Sequence, residues 1–444
     1  MKRRFQKIAA LMLVGAMAGT LVTGCGGSSS GSSSDSSSDS KEASDSSSSN
    51  SNGAAEVTLW HYFEHEAPDL EAVAEKYNES QDKIHVTCTY VSREELMNQY
   101  TIGAVSGELP DIGMVDSPDM ESYISLGVFE DITDDIKDWD ELDQFYDGPL
   151  SSCMDADGKY YGLPNNSNCL TLCCNMDILN AAGIENPPTT WEELDAACAK
   201  LKEAGITPIT ADDAYLTSFI GYHLARYIGQ DGVKALVTGE EYNGESVTWD
   251  DEKVKAAAES FADFAKKGYF SKNIATNKYP AGQNQEFAPG DAAIVICGSW
   301  LPNEAKDSVA DDLEWGYFNY PSVPDGKDDN TANNIANQVL AINKDSKMAD
   351  EAFQLIEYIT TGEYDKKMTE DALCIPTDKA NSDAWPTELA GVKEAFDATT
   401  TFYDWAAGVE SNNDITPVLQ ENTQKLASGK LDAAGFIKAM KEAA

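Results

Sequence analysis

The sequence has little positive charge and very few histidines. Lysine and arginine together number 32 against 76 aspartates and glutamates, and with the four histidines neutral the formal net charge is −44 at pH 7. Such a negative field repels nucleic acid and anionic lipid headgroups, and it keeps a protein soluble. We therefore expect no nucleic-acid partner and a monomeric chain.

The sequence also lacks the motifs that hold common cofactors and metals. It contains no P-loop, no G-x-G-x-x-G, no C-x-x-C and no H-E-x-x-H. His61 and His65 are four residues apart, but they lie where a predicted strand ends and Pro68 soon follows, so we expect no zinc site there. DADGKYYG and DGKDDN are predicted turns, because neither has the ligand spacing or the final glutamate of a calcium loop. We expect no cofactor and no metal.

Long apolar runs are missing from all of the chain except its N-terminus. Four lysines and arginines within the first seven residues precede an uncharged apolar run from Ile8 to Val22. This run is shorter than the roughly 18 to 20 residues that cross a bilayer, and with its basic cap it predicts a secretion signal over residues 1–24. LVTGC, which ends at Cys25, resembles a bacterial lipobox, in which the signal is cut before a cysteine that then carries lipid. The alternative is an ordinary signal peptide with an incidental cysteine.

A lipidated Cys25 would anchor the protein without a spanning helix, because each buried methylene contributes about 0.8 kcal/mol. Residues 26–55 contain 16 serines and no apolar residue larger than alanine. Such a segment cannot bury enough surface to become ordered, so residues 25–55 are predicted to be the lipidated cysteine and a disordered tether. A flexible coil of this length spans about 30 Å. The folded part would therefore stay close to the membrane surface.

From Glu56 onward, strand-like and helix-like patterns alternate, which is typical of an α/β protein with largely parallel sheets. EVTLWHYF predicts a strand, DLEAVAEKYNES a helix and IHVTCTYV the next strand, and together they form a βαβ unit. This segment is longer than one ordinary core requires, so we expect two domains. Further strands are predicted at PDIGMVD, AAIVICG, WGYFNY and QVLAIN, and further helices at TWEELDAACAKLKEAG, DEKVKAAAESFADFAKKGY and MADEAFQLIEYIT.

The cysteines that follow Cys25 have mostly apolar neighbours, which indicates that they are mainly buried thiols. Cys198, for example, shares a helical face with Trp191, Leu194 and Leu201, and a capping box precedes that face. The cysteines concerned are Cys88, Cys153, Cys169, Cys173, Cys174, Cys198, Cys297 and Cys374.

Aromatic, carboxyl and amide side chains cluster at the predicted strand ends. In open α/β sheets, ligands bind beyond the carboxyl ends of the strands. Rings stack on the apolar faces of sugars, while planar amides and carboxylates bind sugar hydroxyls. The pattern therefore favours a site for a neutral sugar. The residues at or beside strand ends are Trp60, Tyr62, Phe63, Asp116, Ser117, Trp300, Asn337 and Gln338.

Several longer phrases resemble one protein family, across the whole segment from Glu56 to the C-terminal helices. They are VTLWHYFE, SGELPDIGMVD, DGKYYGLPNNSNCLTLCCNMDILNAAGIENPPTTWEEL, FAPGDAAIVICGSW and IPT at 375–377. The chain thus resembles the family 1 extracellular solute-binding lipoproteins of ABC sugar importers, which are related to maltose-binding protein. The resemblance implies an α/β, two-lobed periplasmic-binding-protein-like fold of type II, with hinge strands joining the lobes and the ligand in the cleft. The implied first lobe is 56–163 plus 326–376, the second is 168–320 plus 377–444, and the hinges lie near 163–168, 321–326 and 375–378.

The resemblance also implies roles for single residues. Trp300 would be the stacking platform of the second lobe, and Asn337 and Gln338, which stand where many relatives have two glycines, would narrow the site. Cys173 and Cys174 stand where relatives commonly have an aromatic pair, close to the first hinge. The full set of implied ligand-binding residues is Trp60, Tyr62, Glu64, Asp116, Ser117, Asn166, Asn168, Trp300, Asn337, Gln338, Tyr403, Asp404 and Trp405.

The function that the resemblance implies is solute capture, not catalysis. A lipid-anchored, extracytoplasmic protein would close on a sugar or short oligosaccharide and deliver it to ABC permease subunits in the membrane. The residues themselves leave two alternatives open. Paired carboxylates among the 76 acidic residues could form a cell-surface carbohydrate-active enzyme, and the negative charge could favour a cationic solute such as a polyamine.

Overall fold

The computed structural model describes residues 53–63, 67–106, 109–137, 139, 141–155, 157–279, 281–310 and 312–444. The predicted secretion signal, Cys25 and all but the last residues of the predicted tether lie outside these ranges, so these features stay predictions. Within the described ranges, no helix combines the length and the apolar character needed to cross a membrane.

The strands of the described ranges join into one sheet. They are β1 (Ala55–His61), β2 (Ile84–Tyr90), β3 (Ile112–Asp116), β4 (Leu163–Asn175), β5 (Thr207–Thr210), β6 (Ala292–Gly298), β7 (Trp315–Phe318), β8 (Ala332–Ile342) and β9 (Thr401–Tyr403). The order is β2-β1-β3-β8-β4-β6-β5, with β7 paired to β4 and β9 paired to β8.

The α-helices of the described ranges cover the sheet. They are α1 (Ala67–Ser80), α2 (Arg93–Ser106), α3 (Met120–Ser125), α4 (Thr133–Ile136), α5 (Asp147–Ser151), α6 (Met176–Ala181), α7 (Trp191–Glu203), α8 (Asp213–Thr238), α9 (Glu252–Lys266), α10 (Ala281–Phe287), α11 (Leu301–Ala305), α12 (Ala349–Thr360), α13 (Gly362–Ala372), α14 (Ala390–Asp397), α15 (Thr416–Ala427) and α16 (Ala433–Ala443). Short 3-10 helices lie at Ser117–Asp119, Leu142–Gln144, Lys379–Ala384, Thr387–Leu389 and Trp405–Gly408.

The predicted βαβ unit is confirmed. β1 and β2 pair in parallel, and α1 connects them. The four apolar residues that the sequence places on one face of α1 are its buried residues, namely Leu70, Val73, Ala74 and Tyr77. The other predicted strands and helices are also found, as β3, β6, β7 and β8 and as α7, α9 and α12.

The expectation of largely parallel sheets is wrong. The pairs β1–β2, β1–β3, β5–β6 and β8–β9 are parallel, but β4 runs antiparallel to β6, β7 and β8, and β8 runs antiparallel to β3. The physical reason is that β4 and β8 are long strands that pass in opposite directions through the middle of the sheet. Neither fits the βαβ pattern, in which a helix returns the chain to a parallel strand.

The predicted helix around Cys198 is confirmed as α7. Thr190 Oγ accepts a hydrogen bond from Glu193 N, and the Glu193 carboxylate accepts one from Thr190 N, so both ends of the capping box are formed. Cys198 is fully buried. All but one of the cysteines after Cys25 are buried thiols, Cys88 being half-buried. Burial raises the pKa of Cys153 to about 12, so this thiol stays protonated and unreactive near neutral pH.

The buried apolar residues form two separate cores. Core 1 includes Leu59 of β1, Met114 of β3 and Leu355 of α12. Core 2 includes Leu172 of β4 and Phe219 of α8. Each core packs helices against its own part of the sheet, which gives the molecule its two-lobed architecture.

Three segments pass from one core to the other. β4 begins in core 1 at Leu163 and reaches core 2 by Cys169, whereas β8 begins in core 2 at Ala332 and reaches core 1 by Val339. The third passage directly follows Cys374 of core 1. The predicted second hinge at 321–326 differs from this placement, since it precedes the passage in β8. The predicted lobe boundaries stay predictions.

Candidate ligand-binding site

Five side chains meet where β3, β4 and β8 lie side by side, and we call them the polar patch: Tyr62, Arg93, Asp116, Asn168 and Gln338. Asp116 ends β3, and its Oδ1 accepts hydrogen bonds from Tyr62 Oη at 2.7 Å and from Gln338 Nε2 at 3.2 Å. Its Oδ2 accepts one from Arg93 Nε at 2.6 Å. Asn168 Nδ2 lies 3.4 Å from Gln338 Oε1. One carboxylate therefore orients donors from three separate segments.

The one cation of the polar patch, Arg93, is paired with two carboxylates. Arg93 also donates from Nη2 to Asp119 Oδ2 at 2.6 Å, so one guanidinium serves two carboxylates. Burial, reinforced by the Asp116 carboxylate, raises the pKa of the Tyr62 hydroxyl well above its usual value. Tyr62 therefore stays protonated and keeps donating to Asp116. The patch presents hydrogen-bonding groups to a ligand, but no spare positive charge.

The neighbouring amides Asn337 and Gln338 point to opposite sides of β8, as successive residues of a strand do. Gln338 is half-buried and belongs to the polar patch. Asn337 is only 1 % exposed, and its Oδ1 accepts a hydrogen bond from Ser152 Oγ at 3.0 Å. Contrary to the prediction, Asn337 therefore cannot narrow the site, because it is a buried structural amide.

Trp60 and Ser117 lie next to the polar patch. Trp60 is half-buried and packs partly against core 1. Ser117 directly follows Asp116, and its Oγ accepts a hydrogen bond from the backbone N of Asn337 at 3.2 Å. Glu64 lies outside the described residues, so its role stays a prediction.

β4 carries buried polar groups with unused hydrogen-bonding capacity where it leaves core 1. Asn165 and Asn166 are 2 % and 6 % exposed. Within the described part of the chain, neither amide oxygen has a partner, and Asn165 Nδ2 and Ser167 Oγ also lack one. Such groups cost free energy unless water or a ligand binds them. This passage of β4 therefore offers donors and acceptors to a bound molecule.

Four rings form an aromatic cluster on the core 2 side: Tyr215, Tyr279, Trp300 and Trp405. The indoles of Trp300 and Trp405 are inclined by only 25°, with centroids 6.3 Å apart. Tyr215 lies 6.3 Å from each indole and 5.6 Å from Tyr279. Tyr279 is 50 % exposed and both indoles are half-buried. The rings of the cluster therefore pack against one another and still leave apolar surface accessible to a ligand.

The turn after β6 determines the position of Trp300. A Cβ at Gly298 would overlap the Trp300 ring, which means that the indole folds back over the end of its own strand. The turn is held to β4, because Ser299 N donates to Cys169 O at 2.9 Å and Cys169 N donates to Ser299 Oγ at 3.2 Å. Only glycine at position 298 leaves room for this packing.

The polar patch and the aromatic cluster meet at β4. Asn168 of the patch directly precedes Cys169, whose backbone is hydrogen-bonded to Ser299, and Ser299 directly precedes Trp300. The meeting point is also where β4 passes between the cores. A molecule that lies across this passage can contact rings on one side and polar groups on the other.

Tyr403 and Asp404 directly precede Trp405 and anchor its segment to neighbouring residues. Tyr403 is 3 % exposed, and its Oη donates to Asp328 Oδ2 at 2.6 Å. The Asp404 carboxylate forms an ion pair with Lys234. Tyr403 therefore cannot bind ligand with its ring, contrary to the prediction, because the ring is buried in core 2; Trp405 is the residue of this segment that presents a ring to the aromatic cluster.

Two aspartates lie at the start of α8, beside the aromatic cluster. Asp213 forms an ion pair with Lys278. Asp212 caps α8, where its Oδ1 accepts a hydrogen bond from Tyr215 N at 3.0 Å. Burial raises the pKa of Asp212 to about 6. These carboxylates shape the start of α8 and with it the position of Tyr215.

His61, next to the polar patch, is a buried neutral side chain. It is 0 % exposed, and burial lowers its pKa to about 4. Neither ring nitrogen has a hydrogen-bond partner within the described ranges. In the same ranges, no group of three or more His, Cys, Asp or Glu side chains is arranged to hold a metal ion. His65 lies outside them.

Five site residues were not predicted from the sequence: Asn165 and Ser167 in β4, and Arg93, Tyr215 and Tyr279. Tyr215 follows β5, a strand of only four residues that shows no clear alternation. Recognising β5 would have placed Tyr215 at a strand end. Arg93 pairs with Asp116 across 23 residues of chain, and no local pattern indicates that contact. Tyr279 lies in a loop, where spacing carries no signal.

The sequence matches the family model of bacterial extracellular solute-binding proteins over residues 72–394. The chain belongs to this family. Family membership confirms the resemblance seen in the sequence and places the protein outside the cytoplasm.

A protein of Brucella abortus (strain 2308), named only as a binding protein, is 22 % identical over 336 residues, which cover 74 % of this chain and 77 % of that protein. The sn-glycerol-3-phosphate-binding periplasmic protein UgpB of Yersinia pestis is 26 % identical over 264 residues, 55 % of this chain and 56 % of that protein.

Solved structures of similar fold include two receptors for sugars or sugar analogues. The GacH receptor of Streptomyces glaucescens, solved unliganded and with acarbose, has a TM-score of 0.67 at 19 % identity and covers 88 % of this chain and 97 % of its own. The sugar-binding protein MalE of Xanthomonas citri has a TM-score of 0.69 at 16 % identity, with 87 % and 95 % covered. These likenesses confirm the predicted two-lobed α/β fold.

Proposed function

We propose that this protein is the membrane-tethered, ligand-binding component of an ABC importer, which captures a sugar or short oligosaccharide and hands it to the permease. The observation that carries the proposal is the position of the aromatic cluster beside the polar patch at β4. Rings bury the apolar faces of a sugar, while carboxylates and amides bind its hydroxyls. Both groups are connected to the same stretch of β4, the patch through Asn168 and the cluster through the hydrogen bonds between Cys169 and Ser299.

The charges around the site favour a neutral ligand over an anion. Arg93 belongs to the polar patch, Lys234 and Lys278 lie beside the aromatic cluster, and each of these cations is paired with an aspartate. A phosphate group binds through donors and cations that are not already used. This distribution argues against a glycerol phosphate ligand such as the one for which the Yersinia relative is named.

We also propose that the two cores are the two lobes and that the three passages are the hinge, with the second hinge inside β8. The polar patch belongs mainly to the core 1 side, and the aromatic cluster belongs to the core 2 side. A ligand that touches both sides favours the closed state over the open one, which is a population shift. Affinity would then depend on contacts to both groups at once.

The ligands of structural neighbours support a sugar. The GacH receptor was solved with acarbose, and another neighbour, with a TM-score of 0.70, is a chitin oligosaccharide binding protein. The membrane tether is proposed from LVTGC and the serine-rich segment alone. Lipid on Cys25 would keep the receptor within reach of a permease.

A thermal-shift screen tests the proposal. The probes are maltotriose, chitotriose, xylotriose, glycerol 3-phosphate and spermidine, each added to the purified mature protein. Ligand at a hundredfold excess over Kd stabilises the folded state by about 2.7 kcal/mol, so a true ligand raises the melting temperature clearly. We expect a rise with at least one trisaccharide. A rise with spermidine alone, which salt abolishes, or with glycerol 3-phosphate alone would overturn the assignment to sugars.

A second measurement separates binding from catalysis. Each trisaccharide is incubated with the protein and the mixture is analysed by chromatography. We expect intact sugar, because a receptor releases its ligand unchanged. Cleavage products that appear in proportion to protein concentration would instead support a cell-surface carbohydrate-active enzyme.

A further inference from the structure

The turn that carries Trp405 has an unusual backbone. Ala406 and Ala407 have φ values of 50° and 54°, in the left-handed region that non-glycine residues rarely adopt, and Gly408 follows with a φ of 77°. Both alanines are fully buried. Consecutive left-handed residues persist only where the surrounding structure holds them, and they concentrate at functional sites. The contacts that keep Ala406 and Ala407 in this backbone conformation are therefore relevant to the function of the site.

Helix α8 packs against the turn that follows Trp405. Its backbone approaches so closely at Gly221 that a Cβ there would overlap Ala406 O. Further along α8, the helix is interrupted at Gly229, which has a φ of 74° and a ψ of 162°. The interruption allows α8 to present side chains from both of its parts to the segment that precedes Trp405.

Three side chains of α8 contact the segment that precedes Trp405, and we call them the α8 clasp: Arg226, Gln230 and Lys234. Arg226 is 0 % exposed and donates from Nη1 to Tyr403 Oη at 3.1 Å. Gln230 Oε1 accepts a hydrogen bond from the backbone N of Asp404. Lys234 Nζ forms an ion pair with the Asp404 carboxylate. The clasp thus fixes side chain and backbone of the two residues directly before Trp405.

Two further contacts tie the clasp to the rest of the site. Arg226 Nη2 donates to Ala332 O at 2.8 Å, the first residue of the passage strand β8. The stem of Lys234 packs against the turn itself, since a Cβ at Gly408 would lie 2.8 Å from Lys234 Cγ. One helix therefore holds both the start of β8 and the turn of Trp405.

We propose that the α8 clasp is a positioning device, which keeps the turn after Trp405 in its left-handed backbone and so keeps the Trp405 ring stacked on Trp300. Its effect on ligand affinity rests on the proposed function, whereas its effect on the turn does not. Without the clasp, the turn relaxes to ordinary backbone angles and the indole moves away from the stacking position. None of the three side chains needs to touch the ligand.

The test uses ligand-free and sugar-bound protein with the variants Lys234→Met, Gln230→Ala and the combination of both. The matched control is Lys267→Met. Lys234 pairs with Asp404 and lies over the Tyr242 ring, and Lys267 in the same way pairs with Asp195 and lies over the Tyr269 ring, but neither of these partners belongs to the turn. The conservative variant Lys234→Arg keeps the ion pair. Arg226 is left unchanged, since its removal would leave buried carbonyl oxygens without donors.

Two readouts on the ligand-free protein follow the turn: hydrogen exchange of a peptide that spans residues 403–409, and the near-ultraviolet circular dichroism of the stacked indoles. We expect faster exchange and loss of about half of the coupled indole signal in the double variant, with both properties retained in Lys234→Arg and Lys267→Met. Unchanged exchange and an unchanged indole signal in the double variant would overturn the proposal.

The affinity for the trisaccharide that stabilises the wild type best is then measured by calorimetry. We expect a fivefold to tenfold weaker Kd in the double variant, about 1 to 1.4 kcal/mol by the usual conversion, at an unchanged melting temperature. Weaker exchange protection without any loss of affinity would contradict the positioning role. If the wild type binds no sugar, the proposed function fails, while the ligand-free readouts still decide whether the clasp holds the turn.

Discussion

The two halves of the candidate site are built in different ways. In the polar patch, side chains converge on one carboxylate, and Asp116 accepts hydrogen bonds from Tyr62, Arg93 and Gln338. In the aromatic cluster, the rings of Trp300 and Trp405 depend on backbone geometry at Gly298 and in the left-handed turn. Loss of one patch contact leaves the others in place, whereas one methyl group in the wrong position displaces a whole ring. We therefore expect graded effects in the first half and abrupt ones in the second.

Apart from removal of the Trp300 ring itself, the largest effect is expected at Gly298. Gly298→Ala places a methyl group where the Trp300 ring now lies, so the indole must leave its position. Loss of ring stacking should weaken sugar binding by about 2 to 2.7 kcal/mol, or about thirtyfold to a hundredfold in Kd. Calorimetry measures the Kd of the variant for the trisaccharide that stabilises the wild type best.

Gly391→Ala serves as its control, because the added methyl would come closest to the Tyr317 ring, at 3.1 Å, and Tyr317 is a core 2 residue outside the site. We expect its affinity to match the wild type. Equal affinity of Gly298→Ala and the wild type would show that the ring position does not matter for binding.

Smaller effects are expected at the adjacent amides of β8, where loss of Gln338 should affect binding and loss of Asn337 should affect stability. Gln338→Ala removes one donor to Asp116 and should weaken binding about threefold to tenfold with little change in stability. Asn337→Ala removes a buried amide that accepts a hydrogen bond from Ser152 Oγ and donates one to Cys153 Sγ, so it should lower the free energy of unfolding by about 1 to 3 kcal/mol, with affinity retained. Urea unfolding and calorimetry on both variants separate the two roles. The reverse assignment would mean that Asn337, not Gln338, faces the ligand.

The smallest effect on binding is expected at His61, which packs against Phe63 and Tyr90. Burial lowers its folded-state pKa from 6.5 to about 4. Above pH 6.5 the histidine is neutral in both states, but as the pH falls from 6.5 towards 4 only the unfolded state takes up the proton, so stability is lost in that window. His61→Phe should reduce this loss and leave affinity unchanged.

Urea midpoints at pH 7 and pH 5 measure the effect in both proteins. His223 also has a lowered pKa, of about 3, but it is present in the wild type and the variant alike and cancels in the difference. An identical loss of stability in both proteins would mean that His61 is accessible to protons in the folded state.

Much of the fold follows from local sequence patterns. The buried face of α1, the capping box before α7 and the strands β3 and β6 are visible as spacing and alternation, because short-range geometry decides them. The strand directions were not visible in the same way. β4 is antiparallel to β6, β7 and β8, and β8 is antiparallel to β3, because both strands link the two cores, and no window of a few residues contains that information.

The site was predictable only in part. Trp60, Asp116 and Trp300 stand at strand ends, which topology makes the natural place for a ligand, so sequence position alone drew attention to them. Tyr403 differs, because its ring is directed into core 2 and its hydroxyl is bound to Asp328. Which ring of a sequence such as FYDW faces outward depends on a turn that other elements hold in place. That information lies in tertiary contacts and not in the sequence pattern.

The most direct test of the account is the affinity of Trp300→Ala for the trisaccharide that stabilises the wild type best, measured by calorimetry beside Trp315→Ala. Trp315 is an equally half-buried tryptophan, but it packs against Phe287 and Tyr317, away from the site. We predict that Trp300→Ala weakens binding by about a hundredfold or more while Trp315→Ala binds like the wild type. Unchanged affinity in Trp300→Ala, with the fold intact by circular dichroism, would contradict the assignment of the ligand site to the aromatic cluster.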